Sequence, residues 1–543
     1  MTAAVDTVFT GGTVFTGGST AGGRVATSVA VAGGRIVAVG GAEVLDLAGP
    51  GTALVDLAGG LLSPGFQDAH IHPVQGGMEL LACNLTDAGS AGESLAAIGA
   101  YAATHPGAGW LLGGGWSMAH YPGGTPTAAE LDRVVSDRPV FLPNRDHHSA
   151  WVNTVALQIA GITENTPDPV DGRIERNRHG QPTGALHEGA MDLVGRHVPA
   201  PTEDMLLAGL LAAQQHLHAL GITAWQDAIV GEFANIPDAT EVYLRAQASG
   251  ELTARVVGAL WWQRDRGEEQ IIELVDRRAR LHGPRISANT VKIMQDGVVE
   301  TGTAAMLRPY DGDGPANAGL SFVDPIALRR YATLLDAHGF QLHIHTIGDR
   351  AVREALDALE TAREANGPND HRHHLAHIEV VDPADLSRFA RLGVVANMQP
   401  LWAAYEPQMR TLTLPVLGAE RAALQYPFGD LVTSGARLAG GSDWPVTSAN
   451  PVEGIHVAVN RMLPGADEPV FLPHQRIGLA AALGAYTSGS AYVNHLDETG
   501  TIAPGMLADL VVLDRDPFSG PPEEIHQTRV RATYIDGRKV HET

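Results

Sequence analysis

The sequence predicts an α/β protein, a (β/α)8 TIM-like barrel with a small β-sandwich domain formed from both termini. The barrel is predicted by helix–strand units that recur through the middle of the chain. These units occupy roughly 430 residues, which suits eight of them with insertions. The sandwich is predicted by short β-branched runs between glycine turns at both ends of the chain.

The two terminal segments share one style of sequence. Residues 1–62 contain DTVFTGG and ATSVAVAGGRIVAVGG, and residues 500–543 contain ADLVVLDRD and VRATYIDGRKV. Neither segment has enough strands to bury a core by itself. We therefore expect residues 1–62 and 500–543 to fold together as one sandwich.

The helix–strand units are clearest in the second half of the chain. LLAAQQHLHALGITAWQDA predicts a helix that stops at Gly221 and a strand that ends at Asp227, and LRRYATLLDAHGFQLHIHTIGDRAVREALDALE predicts a helix, a strand after Gly339 and another helix. DLSRFARLGVVANMQP and DLVTSGARLAGGSDWPV repeat the order. We assign residues 63–499 to the barrel, with an insertion at about 101–198 where Gly, Pro and Trp break the rhythm; an open, doubly wound sheet is the alternative.

The amino-acid composition disfavours some classes of binding partner. The 543 residues include 37 Lys and Arg against 61 Asp and Glu, a net charge of −24 that disfavours nucleic acid and anionic membranes. Cys83 is the single cysteine, which excludes an internal disulfide and a cysteine metal cluster. Met1 to Gly18 lacks the features of a signal peptide, and no apolar run reaches the ~18 residues of a membrane helix. We expect a soluble cytoplasmic protein that acts on a small molecule, and a homodimer is left open.

Chemically useful side chains stand where the predicted strands end. In FQDAHIHPV, His70 and His72 share one side of an extended strand because residues i and i+2 point the same way. The carboxyl ends of barrel strands converge on one rim, where imidazoles and a carboxylate would suit zinc or a similar divalent metal. The other candidates at strand ends are Lys292, His343, His345, His377 and Asp443.

Each candidate also has a simpler interpretation. The two histidines of the first strand could be satisfied by hydrogen bonds, and Asp443 could cap a turn or a helix. Lys292 could be an unmodified amine paired with Asp296 or Glu300. The ordered set of residues is harder to explain in this way than any single member.

The ordered set resembles the amidohydrolase superfamily. PGFQDAHIH, VKIMQDGVVETGTAAML, HTIGDRA, LAHIEVVDPADL, NMQPLW and GSDWPV are similar to its branch of N-substituted formamide deformylases and uncharacterised metal-dependent relatives. The likeness covers essentially the whole chain, and PGMLADLVVLDRDP resembles the returning sandwich strand of these enzymes.

The resemblance implies a divalent metal cofactor, two zinc ions per chain. It implies that the first metal is bound by His70, His72 and Asp443 and the second by His345 and His377, with carboxylated Lys292 bridging the two. His345 is preferred to His343 because it stands three residues before the GD pair, and His343 is expected one layer down. His373 and His374 are set aside in favour of His377.

The resemblance also implies hydrolysis of a non-peptide C–N bond, in an N-substituted formamide or a similar N-acyl amine. A hydroxide on the metal would attack the carbonyl, and Asp443 would be the catalytic proton shuttle to the leaving amine. The alternatives are a single-metal deaminase of the same superfamily, which would not need Lys292, and a non-catalytic scaffold.

Two further sets of residues have open roles. His148 in RDHHSAWVN and Glu188 in GALHEGAMDLV either reach the pocket or are structural. The tryptophans Trp116, Trp151, Trp402 and Trp444 either line an apolar substrate pocket or pack in the core.

Overall fold

A computed structural model describes residues 5–18, 26–107, 109–233, 237–312 and 316–543. Its centre is a parallel barrel of eight strands whose neighbours follow chain order. This order confirms the barrel and contradicts the doubly wound alternative, in which the strand order reverses within the sheet. The strands are β1 (Phe66–Ile71), β2 (Ile222–Val230), β3 (Arg255–Trp261), β4 (Ile286–Met294), β5 (Gln341–Thr346), β6 (His374–His377), β7 (Val395–Met398) and β8 (Leu438–Gly440).

The barrel helices begin and end at residues that the local sequence specifies. Three of them start at an Asp–Pro or Asn–Pro pair, in which the side chains of Asp324, Asp382 and Asn450 accept hydrogen bonds from the first free N–H groups. Glycines with positive φ end two helices just before a strand, at Gly221 (82°) and Gly339 (77°). These are the predicted boundaries, and both are confirmed.

The helices around the barrel vary from one to five turns. They are Pro73–Leu80, Glu203–Ala219, Thr240–Ser249, Gln270–Arg280, Pro325–Ala337, Asp349–Asn366, Pro383–Leu392, Leu414–Ala422, Phe428–Thr433, Pro451–Asn460, Leu479–Gly484 and Ser490–Val493. Among the described residues, none of the helices combines the length and the apolar character needed to cross a membrane.

The first and last strands are joined at the rim by the loop after β8. The N–H of Asp443 donates to the carbonyl of His70 (2.8 Å). The buried carboxylate of Asp68 accepts hydrogen bonds from the N–H of His70 (2.9 Å) and of Ser442 (3.1 Å). These bonds hold the HxH segment against the loop that carries Asp443.

A separate six-stranded sheet lies between β1 and β2 in the chain. Its strands, in spatial order, are Gly172–Arg176, Pro182–Glu188, Ser149–Val152, Val140–Pro143, Leu111–Gly114 and Cys83–Asn84. Its helices are Ala91–Thr104, Ala128–Asp132, Thr154–Ile159 and Asp192–Gly195. Trp116 and Trp151 are fully buried in its core, so these two tryptophans are packing residues. The sheet begins upstream of residue 101, the predicted start of the insertion.

Strands from the two termini form two further sheets. One contains Arg35–Gly40, Ser28–Ala32, Thr7–Thr10 and Ala53–Asp56, and the other contains Thr13–Val14, Leu61–Pro64, Leu510–Leu513, Val530–Ile535 and Arg538–Glu542. The second sheet pairs the N-terminal Leu61–Pro64 directly with the C-terminal Leu510–Leu513. Side chains from both sheets, among them Phe9, Val29, Leu510 and Tyr534, share one apolar cluster.

A buried ion pair ties the C-terminal sheet to the barrel. Arg255, at the start of β3, donates to both carboxylate oxygens of Asp509 (2.6 and 3.2 Å) and also contacts Asp536. The side chain of Asp509 is 1% exposed and that of Arg255 is 11% exposed. Asp509 also accepts the N–H of Asp536 (2.8 Å), so it is a shared anchor for this contact.

We expect Asp509→Ala to lower the free energy of unfolding by about 3–5 kcal/mol, because it leaves a buried guanidinium short of its main partner. Urea denaturation measures this change. The matched control is Glu498→Gln, which breaks the exposed ion pair with Arg35 (3.0 Å) and should change stability little. Equal effects of the two variants would contradict the anchoring role of Asp509.

Candidate metal centre and active site

A cavity of about 350 Å³ opens at the carboxyl ends of the barrel strands. The structure brings all six sequence-predicted site residues together in its lining: His70, His72, Lys292, His345, His377 and Asp443. They come from β1, β4, β5 and β6 and from the loops after β1 and β8. The parallel order of the barrel therefore places residues that are far apart in the chain around one cavity.

His70, His72 and Asp443 form the tightest group. The Nε2 atoms of His70 and His72 lie 3.1 and 3.0 Å from the same oxygen, Oδ1 of Asp443. The ligand-capable atoms of the three residues lie within 4.8 Å of one another. Asp443 has φ of 57°, a left-handed conformation that costs a non-glycine residue about 1–3 kcal/mol and is concentrated at functional sites.

Electrostatics prepare this group for a cation. Burial, with a smaller contribution from Lys292, lowers the pKa of His70 to about 3, so its imidazole is neutral. Burial would raise the pKa of Asp443, but the two imidazoles beside it hold that pKa well below its usual range. Neutral imidazoles and an ionised carboxylate are the protonation states that a metal ligand needs.

His345 and His377 form the neighbouring pair, with ring centroids 4.5 Å apart. Nδ1 of His345 lies 3.0 Å from Oδ1 of Asp296, whose carboxylate also accepts the N–H of Ile347 and of Gly348. Such a carboxylate fixes the orientation of an imidazole. Nδ1 of His377 is buried without a hydrogen-bond partner among the described residues, and it lies 4.0 Å from Oδ2 of Asp443.

Lys292 lies deep in the cavity without a counter-ion. Its Nζ is 3.4 Å from Nε2 of His343, and within the described part of the chain no carboxylate reaches it at ion-pair distance. The interpretation of Lys292 as the partner of Asp296 or Glu300 is therefore wrong, since Asp296 binds His345 and Glu300 accepts the hydroxyl of Thr413 (2.5 Å). Burial lowers the pKa of Lys292 to about 7.

A layer of polar side chains lies beneath the site. His343 lies between Nδ1 of His70 (2.9 Å) and the side-chain oxygen of Gln226 (2.7 Å). Gln226 in turn donates to Gln341 (3.2 Å), which also accepts the hydroxyl of Thr290. His343 is fully buried and outside the cavity lining, one layer down as the sequence predicted.

The donor set fits a divalent metal. Nδ1 of His72 and Nδ1 of His377 are buried and have no hydrogen-bond partner among the described residues. Buried polar atoms without a partner are rare in proteins because they are costly, and such atoms call for a functional explanation. Imidazole nitrogen and carboxylate oxygen are the ligand types that zinc prefers when cysteine is absent. The residues present could therefore hold a metal ion.

A second His–Asp group, at the opposite end of the barrel, does not fit a metal. Oδ1 of Asp336 lies 2.9 Å from Nδ1 of His371 and 2.9 Å from Nε2 of His373. Nδ1 of His373 accepts the N–H of Leu342 (3.0 Å), so its Nε2 carries the proton and has no lone pair for a metal. Asp336 also accepts the amide of Asn366, and the group is a hydrogen-bonded structural hub.

The inserted sheet contributes His148 and Glu188 to the cavity lining. Nδ1 of His148 lies 2.9 Å from Oε1 of Glu188, and the His148 ring is 6.0 Å from the ring of His345. Burial alone would lower the pKa of His148, but the carboxylate of Glu188 outweighs it and raises that pKa to about 9. Both residues therefore reach the cavity, which was the open point about their position.

The aromatic lining differs from the one expected. Trp402 lies in the lining and stacks on His377, with centroids 5.1 Å apart and planes at 3°. Trp444 is outside the lining, stacked on His216 (5.3 Å). The sequence interpretation missed Trp261 and Phe233, which line the cavity with their rings 4.9 Å apart. Trp261 is the last residue of β3, and this position at a strand end is the signal that could have identified it.

Comparison with known proteins identifies the family of the chain. The model of the amidohydrolase family matches residues 53–541. The chain belongs to the amidohydrolase family. It is 32% identical to the protein LONG AFTER FAR-RED 3 of Arabidopsis thaliana, over 99% of this chain and 91% of that one. It is 30% identical to the amidohydrolase YtcJ of Bacillus subtilis over 91% of each chain, and 28% identical to the N-substituted formamide deformylase of Arthrobacter pascens over 94% of each.

Solved structures agree with this assignment. An uncharacterized metal-dependent hydrolase from Pyrococcus horikoshii is 25% identical, with a TM-score of 0.72 over 95% of this chain and 99% of that one. A zinc-bound adenosine deaminase from Xanthomonas campestris shares the fold, with a TM-score of 0.55 at 14% identity, over 98% and 92% of the two chains. The protein is a metal-dependent hydrolase of the amidohydrolase superfamily.

Proposed function

We propose that this amidohydrolase cleaves the non-peptide C–N bond of a small N-acyl amine, such as an N-substituted formamide. The observation that carries the proposal is the convergence of unpaired buried imidazole nitrogens, an ionised Asp443 and a lysine without a counter-ion around one cavity. A resemblance of 28% identity to an N-substituted formamide deformylase supports the choice of acyl group.

The proposed cofactor is a pair of zinc ions. His70, His72 and Asp443 would hold one, His345 and His377 would hold the other, and Lys292 would bridge them as a carbamate. When bound, the metals lower the pKa of a water molecule and polarise a carbonyl group. The carbamate is consistent with the position of Lys292, because burial without a carboxylate favours the uncharged amine, which can add carbon dioxide.

The side chains of the protein carry the proton. Asp443 is ionised and borders the cavity, so it can accept the proton of the attacking water and deliver it to the amine nitrogen as the C–N bond breaks. Asp296 holds His345 in place through Nδ1, and His343 does the same for His70.

The lining supports an apolar amine and disfavours an acidic one. Trp261, Phe233 and Trp402 offer aromatic surface beside the site. Five further carboxylates line the cavity: Asp146, Asp171, Asp192, Glu232 and Asp265. The arginine among the described lining residues, Arg264, is already ion-paired with Asp171 (2.5 Å). These carboxylates disfavour a free carboxylate on the amine part of the substrate, whereas the positive charge of bound zinc would attract an oxyanion at the metal site.

An amide panel tests the proposal, with metal-loaded protein and four substrate classes: N-benzylformamide-like formamides, N-acyl amino acids, cyclic imides and carbamates. We expect release of the free amine from the formamides and little turnover of N-acyl amino acids. A preference for charged, hydrophilic amines would contradict the apolar assignment. Release of ammonia from an aminated ring, with one metal per chain, would favour the single-metal deaminase instead.

We also propose that the two terminal sheets form one β-sandwich domain. Their shared apolar cluster, which joins Phe9 and Val29 to Leu510 and Tyr534, supports this assignment. The pairing of Leu61–Pro64 with Leu510–Leu513 supports it as well.

A further inference from the structure

One edge of the His148 ring is held and the other is free. Nδ1 of His148 lies 2.9 Å from Oε1 of Glu188, while its Nε2 has no hydrogen-bond partner within the described ranges. The ring lines the cavity and is only 12% exposed. His147, the next residue, is different because both of its ring nitrogens contact the side chain of Gln75.

Glu188 is fixed more firmly than an ordinary ion-pair partner. Its Oε1 also accepts the hydroxyl of Thr303 (2.9 Å), and its N–H donates to the carbonyl of His148 (3.0 Å). The backbone of Gly297 packs closely against this pair. A Cβ atom added at Gly297 would lie 2.0 Å from the Thr303 hydroxyl and 2.7 Å from Glu188, so a larger residue would collide with them. Glu188 itself has φ of 50°, a strained conformation held by these contacts.

His148 is linked to Asp443 by a series of neighbouring histidine rings. The His148 ring neighbours the His345 ring (6.0 Å), which contacts the His377 ring (4.5 Å), which in turn lies 4.0 Å from the carboxylate of Asp443. His148 and the proposed proton acceptor Asp443 therefore both border the cavity that contains His345 and His377.

We propose that His148 is a catalytic residue that donates a hydrogen bond from Nε2 to the carbonyl oxygen of the substrate, and that Glu188 is its positioning residue. This inference rests on the proposed amide hydrolysis. In that reaction the oxygen of water forms a bond to the carbonyl carbon, and the π electrons of the carbonyl move to its oxygen. The oxyanion accepts the hydrogen bond from His148. When the C–N bond breaks, the electron pair returns from oxygen and the nitrogen leaves with the proton carried by Asp443.

The test uses metal-loaded full-length protein and two readouts. Calorimetry measures the binding of inorganic phosphate, a tetrahedral oxyanion, and steady-state kinetics measure amide hydrolysis. The variants are His148→Asn and Glu188→Gln, with zinc content determined for each. The matched controls are His187→Asn and Glu175→Gln, which break a second His–Glu contact (3.4 Å) of the same inserted sheet whose residues lie outside the cavity lining.

We expect His148→Asn to retain its zinc, to weaken phosphate binding about 10- to 100-fold and to lower kcat with little change in KM. Glu188→Gln should show a smaller loss of the same kind, and the controls should match the wild type in both readouts.

Three results would overturn the inference: absence of phosphate binding by the wild type, unchanged phosphate affinity in His148→Asn, or loss of zinc from that variant, which would make His148 a ligand. If no amide is hydrolysed but His148→Asn still loses phosphate affinity, the proposed function fails while the role of His148 in binding an oxyanion stands.

Discussion

Asp443→Asn should abolish nearly all amide hydrolysis, with kcat reduced about 1,000-fold or more. The amide cannot accept the proton of water or deliver one to the amine, a contribution that reaches about 10²–10⁴-fold in enzymes. It also removes the negative charge beside Nε2 of His70 and His72, so we expect weaker metal binding as well. Steady-state kinetics at saturating zinc separate the two effects, because added metal restores occupancy and leaves the proton transfer impaired.

The control for this variant is Asp357→Asn. Asp357 is also an ion-paired aspartate, but its partners Arg329 (2.8 Å) and Arg388 (2.7 Å) lie away from the cavity lining. It should keep the activity of the wild type. If Asp443→Asn retained more than about a tenth of wild-type kcat at saturating zinc, Asp443 would not be the proton shuttle.

Lys292→Ala should lose about one metal per chain and most of the activity. The carbamate proposed on Lys292 supplies the anionic oxygens that two divalent ions need, and alanine supplies none. Short carboxylic acids such as propionate should restore part of the activity by occupying the space of the missing side chain. Metal analysis of the purified variant and a titration of activity with the acid measure these outcomes.

Two matched measurements separate bridging from packing. Lys292→Glu, which keeps a carboxylate near the same place, should retain more metal than Lys292→Met, which keeps only the bulk. Native mass spectrometry of the wild type should detect one added carbon dioxide. Full activity and metal content in Lys292→Ala would contradict the bridging role and favour a site with a single metal.

The barrel could be predicted because its signals are local. The helix that stops at Gly221 or Gly339, and the strand that follows it, can each be recognised from the residues of that segment alone. The candidate metal ligands could also be predicted from the sequence, because in a parallel barrel the carboxyl ends of all strands lie at one rim. His70, Lys292 and His377 needed only their strand positions to be placed around one cavity.

The remainder of the site depends on contacts that no local pattern encodes. His148 and Glu188 reach the cavity from two strands of the inserted sheet that pair antiparallel, with Ser149 opposite His187. The sequence leaves Asp296 open as an alternative partner of Lys292, but the loop after β4 turns it towards Nδ1 of His345. The chemistry of Trp116 would suit either the core or the rim of the cavity. Its burial follows from the three-dimensional fold and could not be predicted from the local sequence.

We propose that the cavity residues bind metal and that the metal enables amide hydrolysis. Elemental analysis of purified wild-type protein, before and after removal of metal with a chelator and reconstitution with zinc, tests it most directly when the same samples are assayed on a formamide. We expect two zinc ions per chain, loss of activity when the metal is removed, recovery of both on reconstitution, and failure of His70→Ala to recover either. Formamide hydrolysis that persists in metal-free protein, or reconstituted wild-type protein that binds no metal, would contradict it.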